Sequence, residues 1–130
     1  MILDSSAIVA ILLRQPGFER LLESAAGTDL TGVGTPTLAE TGIVVEAKIG
    51  RTGRTLLARF LQEGGVIAVP FGDDHWRAAV DAFARFGRVR HPAALNFGDC
   101  LTYATARLAD EPLLCVGDEF AKTDLVLAQY

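Results

Sequence analysis

Apolar runs too short for helices alternate along this chain with longer segments of helical spacing, and that alternation limits the fold more than any other feature. The runs lie at residues 1–3, 29–33, 66–69 and 113–116, with a fifth candidate at 125–128. Between them, Phe18, Leu21, Leu22 and Ala25 recur at helical intervals, as do Leu56, Leu57, Phe60 and Leu61, and then Trp76, Ala79, Val80 and Phe83. Gln15-Pro16-Gly17 breaks a first helix that starts at Ser5, and Thr35-Pro36 opens one that Gly50 closes. Gly64-Gly65 ends another, Asp73-Asp74 caps the next, and a last helix spans about 97–109. Strands separated by helices pair in parallel and need cover on both faces. The expectation is a three-layer α/β/α fold with a central, mainly parallel sheet of four to five strands, as a single domain over residues 1–130.

Half of the residues are hydrophobic and 22% are charged, the balance of a folded domain that buries about two-thirds of its extended surface. Cys100 and Cys115 form no CxxC, and the two histidines make no zinc cluster. Both cysteines read as small core residues in a reducing compartment. A strand at Met1 leaves no room for a secretory leader, and no apolar run reaches the ~18 residues of a membrane helix. A cytoplasmic protein with no membrane partner is expected. The net charge of −4 argues against nucleic-acid binding by overall charge, but the basic residues are not evenly spread. Lys48, Arg51, Arg54 and Arg59 share a stretch, 47–62, that holds no acid. Arg77, Arg85, Arg88 and Arg90 form a second group diluted only by Asp81. Either segment suits a polyanion, and either also reads as a solvated helix face.

Four acidic positions are harder to explain by solubility. Asp4 ends the first strand; Glu40 sits among Leu38, Ala39, Ile43 and Val44; Asp99 opens an apolar helix; Asp118 and Glu119 follow the fourth strand. Each lies at a strand end or a helix beginning, so a parallel sheet could gather them at one edge. Each also has a local reading: Asp4 as a helix cap, Thr37-x-x-Glu40 and Asn96-x-x-Asp99 as capping patterns, Asp118 as a turn residue. Gathered carboxylates ~5 Å apart repel by roughly 3 kcal/mol per pair at an effective dielectric of 20. A cation or shifted pKa values must offset that. Oxygen donors without convergent histidine or cysteine suit Mg²⁺, with Mn²⁺ able to substitute. Acids, a hard cation and flanking arginines together point to metal-assisted cleavage of a phosphodiester.

M-I-L-D-S-S-A-I, the glutamate of T-P-T-L-A-E, N-F-G-D-C-L-T-Y-A-T-A and L-L-C-V-G-D-E-F-A-K-T-D-L resemble the PIN-domain ribonucleases, and more narrowly the VapC toxins of type II toxin–antitoxin pairs. The resemblance runs from residue 1 to about residue 125. It implies the sheet order 3-2-1-4-5, an Mg²⁺-dependent endoribonuclease, a toxin homodimer, and a VapB-type antitoxin that covers the site within a hetero-oligomer. Carried over, Asp4 and Asp99 match the principal metal-binding aspartates, and Glu40 is expected to bind metal directly or through water, or to help activate the attacking water. The fourth acid stays open between Asp118 and Glu119, because Gly117-Asp118-Glu119-Phe120 departs from the family's G-N-D-F or G-D-D-F. Ser5 stands where a threonine is common; it and Ser6 are expected beside the acids or against substrate. For a ribonuclease, Arg51, Arg54, Arg59, Arg85, Arg88 and Arg90 would contact the RNA backbone. Two other readings are a non-catalytic PIN-like module, with its partner groove on the apolar helices of 7–22 and 38–61, and a receiver-like phospho-acceptor. The latter wants an acidic pair after the first strand and an aspartate after the third, where this chain has Asp4 alone and Val69-Pro70-Phe71.

Overall fold

Each apolar run becomes a very short strand that feeds a helix. In the computed structural model, which describes residues 1–130, β1 (Ile2–Leu3) leads into α1 (Ser5–Leu12) and α2 (Phe18–Ala26). Then follow β2 (Gly32–Gly34), α3 (Thr35–Ile49), α4 (Arg51–Gly64), β3 (Ile67–Val69), α5 (Asp73–Phe86), α6 (Phe97–Ala109) and β4 (Leu113–Leu114). The four strands are parallel and ordered β3-β2-β1-β4, with Ile2 opposite both Gly32 and Leu113. The expected order therefore holds for four strands.

The fifth strand does not form as expected. Residues 125–128 lie beside β4, as the order requires, but only Leu127 bridges to Leu113. The Leu113 N–H donates to the Val126 carbonyl at 2.9 Å, and the Ala128 N–H donates to the Leu113 carbonyl at 2.8 Å. Upstream, the Thr123 hydroxyl donates to the Phe120 carbonyl at 2.7 Å and accepts from the Leu125 N–H at 3.2 Å. That turn brings the chain onto the edge of β4, where the pairing goes no further than Leu127. Two caps also differ. Thr35 and Asp73 are inside α3 and α5, while Gly34 and Gly72 occupy the cap positions without side-chain caps.

Alternation along two-residue strands builds the three layers, because neighbouring side chains point to opposite faces. Ile2 and Leu113 join Ala79, Ala82, Phe86, Leu95, Tyr103 and Ala104 on the α5–α6 side. Leu3 and Leu114 join Ala7, Ile8, Ile11, Leu21, Val33 and Leu57 on the other. Each buried leucine, isoleucine, valine or phenylalanine side chain among them stabilises by about 1.5–3 kcal/mol. At Gly34, where β2 turns straight into α3, an added Cβ would stand 2.6 Å from the Thr105 hydroxyl of α6. This close approach sets the N-terminus of α3 against α6. No helix is long and apolar enough to cross a membrane.

Candidate active site

The end of β1 places Asp4 between α1 and α6. Its carboxylate is 5% exposed and is held by donors from two elements. The Ser6 N–H donates to Oδ2 at 3.0 Å, the Ser6 hydroxyl donates to the same oxygen, and the Thr102 hydroxyl of α6 donates to Oδ1 at 2.9 Å. With its one proton spent on Asp4, Thr102 must accept from Thr37 of α3, 3.1 Å away. The Ser6 hydroxyl in turn accepts from the Val116 N–H at 2.9 Å, which ties the β1 turn to the exit of β4. Asp4 thus caps α1 and also gathers α3, α6 and the β4 exit around one buried charge. Thr37 and Thr102 were not among the residues expected at the site. Their signal was present only as hydroxyls in otherwise apolar helix faces.

Asp99 sits one helical turn before Thr102. The capping box expected from Asn96-x-x-Asp99 is present: the Asn96 N–H donates to Asp99 Oδ2 at 3.0 Å, and the Asp99 N–H donates to Asn96 Oδ1 at 2.9 Å. The cap uses one carboxylate oxygen and leaves Oδ1 free. Burial pushes the Asp99 carboxyl up to about 6 against the pull of the Asn96 N–H, and the charges of Asp4, Glu119 and Glu40 push the same way. Glu40 is no cap, since α3 starts at Thr35; it is exposed and reaches over the first turn of α6. Of the two acids after β4, the Glu119 charge helps to push up both the Asp99 carboxyl and the Cys115 thiol. Ser5 opens α1 half-buried and makes no side-chain hydrogen bond.

The glycine before Asp99 has a steric purpose. A Cβ on Gly98 would stand 2.7 Å from Glu40 Oε2, the far end of a flexible side chain. Gly98→Ala should leave the fold intact, or stabilise α6 by up to about 1 kcal/mol, because alanine is the better helix former. It should also displace the Glu40 carboxylate and lower any activity that depends on it by about tenfold or more. Thermal melts and rates on the same preparation test this; unchanged activity would detach Glu40 from the site.

The donor set fits a hard divalent cation. None of Asp4, Glu40, Asp99 or Glu119 forms a salt bridge, although five others exist in the chain. Burial pushes the Cys100 and Cys115 thiols up to about 11 and 12, so both stay protonated and offer no thiolate. No three acidic, histidine or cysteine side chains are gathered closely enough to chelate an ion in this conformation.

The six arginines divide. Arg54 pairs with Glu46 at 2.8 Å and Arg59 with Glu63 at 3.2 Å. Arg85 bonds Asp124 Oδ2 at 3.1 Å, and the Tyr103 hydroxyl donates to Asp124 Oδ1 at 2.6 Å. Burial works to raise the Asp124 carboxyl, but these two hydrogen bonds and the guanidinium charge hold it below the usual range. Arg51, Arg88 and Arg90 have no carboxylate partner.

Residues 1–125 match the family model described as the PIN domain. The chain is 44% identical over 126 residues to a "Ribonuclease VapC36" of Mycobacterium tuberculosis, covering 96% of this chain and 91% of that one. It is 38% identical over 125 residues to a "Ribonuclease VapC" of Mycolicibacterium smegmatis, covering 96% and 97%. Among solved structures, the sarcin–ricin loop cleaving toxin VapC20 of Mycobacterium tuberculosis superposes with a TM-score of 0.80 at 16% identity, covering 99% of this chain and 98% of that one. VapBC2 of Rickettsia felis, bound to a DNA fragment from its promoter, gives 0.77 at 16% identity, covering 99% and 97%. These two likenesses speak for the fold.

Proposed function

This chain belongs to the PIN domain family, among the VapC ribonucleases, and on that premise we propose that it is an Mg²⁺-dependent endoribonuclease toxin of a type II toxin–antitoxin pair. One observation carries the reading. The charges of Asp4, Glu40 and Glu119 all act on the half-buried Asp99, and no basic side chain neutralises any of the four. A cation held there would offset the repulsion on the Asp99 carboxylate.

Asp4 and Asp99 would hold the metal, with Glu119 as the fourth acid and Glu40 binding directly or through water. When bound, Mg²⁺ lowers the pKa of a water and neutralises charge on the phosphate under attack. The chain's own residues prepare for this. Donors from Ser6 and Thr102 fix the Asp4 carboxylate, and the Asn96 cap aims the free oxygen of Asp99. Glu40 is exposed enough to accept a proton from an attacking water. The substrate is RNA. The chain acts as a homodimer and is held inactive by a VapB-type antitoxin in a hetero-oligomer, a partnership supported by the toxin–antitoxin complexes among its structural neighbours.

The test is cleavage of structured RNAs by antitoxin-free protein with Mg²⁺, with Mn²⁺ and with chelator. Discrete cuts that chelator abolishes are expected. Folded protein that binds metal yet cuts nothing across a wide RNA panel would favour a non-catalytic module on the same fold. The same assay separates the two neighbouring acids. Glu119→Gln should slow cleavage by about a hundredfold, the scale of losing one charge-stabilising group. Asp118→Asn should stay within about threefold of wild type, and the reverse pattern would move the fourth acid to Asp118.

A further inference from the structure

Four uncompensated acids repel a polyanion, so something must hold RNA against them. Arg54, Arg59 and Arg85 are spent in ion pairs. Arg51 lies beyond the far end of α3, more than about 13 Å along the helix axis from Glu40. Of the six arginines expected to contact RNA, Arg88 and Arg90 remain, in the loop that enters α6 at the Asp99 end.

That loop is built to be rigid. Gly87 and Leu95 form a parallel bridge across its base. The Arg88 N–H donates to the Leu95 carbonyl at 3.1 Å and the Leu95 N–H donates to the Phe86 carbonyl at 3.0 Å. The His91 ring stands edge-on to Phe86, and its Nδ1 accepts from the Ala93 N–H at 3.0 Å. A Cβ on Gly87 would fall 2.3 Å from the Phe83 carbonyl oxygen, so only glycine fits the entry. Between the two arginines, Val89 has φ 68°, a left-handed conformation that a β-branched residue strongly disfavours. Its side chain is fully exposed, so no packing offsets the strain. A strained residue with nothing to pack against is held by the hydrogen-bonded frame around it, and such positions cluster at functional sites. The frame is joined to the acids: Leu95 is wholly buried, and the next residue, Asn96, is locked to Asp99 by the capping box. Arg90 is steadied above the Phe83 ring at 5.9 Å.

We infer that the 87–95 loop is the RNA-positioning element of the site, holding Arg88 and Arg90 at a fixed offset from Asp99 to bind backbone phosphates beside the bond to be cut. This rests on the ribonuclease reading above. It separates these two arginines from Arg51, Arg54, Arg59 and Arg85 and makes Val89 the residue that presets their spacing.

The experiment measures binding and cleavage separately. A fluorescein-labelled RNA stem–loop is titrated by anisotropy in chelator over a range of salt, and its cleavage is then followed with Mg²⁺. The double variant R88A/R90A should reduce the slope of log K against log[salt] by about 1.4 to 1.8, two contacts at about 0.7 each in the single-stranded loop or about 0.9 each in the duplex stem. It should also raise KM about tenfold with kcat within about twofold. R88K/R90K should restore the slope, and R54A/R59A should not change it. Val89→Gly, which accepts the backbone angle but loosens the loop, should weaken binding about threefold at unchanged slope. Wild type that cleaves normally while R88A/R90A keeps the full slope overturns the inference and leaves the ribonuclease standing. No cleavage and no binding by wild type overturns both. If R88A/R90A sediments as a smaller species than wild type, the arginines belong to an interface between copies and the inference also falls.

Discussion

Asp99→Asn should slow metal-dependent RNA cleavage by at least about a thousandfold and leave the chelated protein as stable as wild type or more so. The rate loss follows from removing the carboxylate proposed to hold the metal: several kcal/mol of charge stabilisation, at one factor of ten per 1.36 kcal/mol. The stability result follows from the local geometry. An asparagine side-chain oxygen can still accept from the Asn96 N–H, and the return bond from the residue 99 N–H to Asn96 is untouched. The change also removes a half-buried charge that Asp4, Glu119 and Glu40 all oppose. Melting curves in chelator, with cleavage assayed on the same preparation, test both halves. A fully active variant would overturn the site, and a melting temperature well below wild type would show that the cap needs the charge.

Asp4→Asn should be equally inactive but, unlike Asp99→Asn, clearly less stable. All three groups that face this carboxylate are donors: the Ser6 N–H, the Ser6 hydroxyl and the Thr102 hydroxyl. Asparagine brings an NH₂ into a buried space with no acceptor ready for it. A buried donor set against donors costs about 2–4 kcal/mol, or roughly 10 °C in a domain of this size. The damage should spread, because Thr102 also orders Thr37 and Ser6 also holds the Val116 N–H. Loss of cleavage without loss of stability would mean that the hydroxyls rotate to accept, and that the network is softer than its geometry implies.

The contrast between these two aspartates was not legible in the chain. Both stand before or within an apolar helix, and both fit a capping pattern. What was legible was the alternation of short apolar runs with helical spacing, the three-layer architecture it demands, and the sheet order 3-2-1-4 that the family resemblance implies. The expected fifth strand shrank to one bridge, between Leu113 and Leu127. The receiver-like alternative ends with the PIN-domain match.

The arginines mark the limit of sequence reading more sharply. Six looked equivalent along the chain, but three are paired with acids eight, four and thirty-nine residues away. The i,i+4 spacing of Arg59 and Glu63 could be read directly. The approach of Asp124 to Arg85 depends on how the last residues return over α6.

The sequence by itself determined where the helices and the four strands form, because periodicity and punctuation act over a few residues at a time; it did not determine which face is buried, since Trp76, Val80 and Phe83 of the α5 stripe stay exposed. It also determined that acids stand at strand ends and helix starts. Only the tertiary structure decided that Asp4 is locked by Thr102, that the Glu119 charge acts on Asp99, and that Gly98 makes room for Glu40. Those outcomes rest on distances of a few ångströms between residues as far as 98 positions apart. Hydrogen bonds and repulsion between buried charges vary steeply over such distances, and no local pattern encodes them.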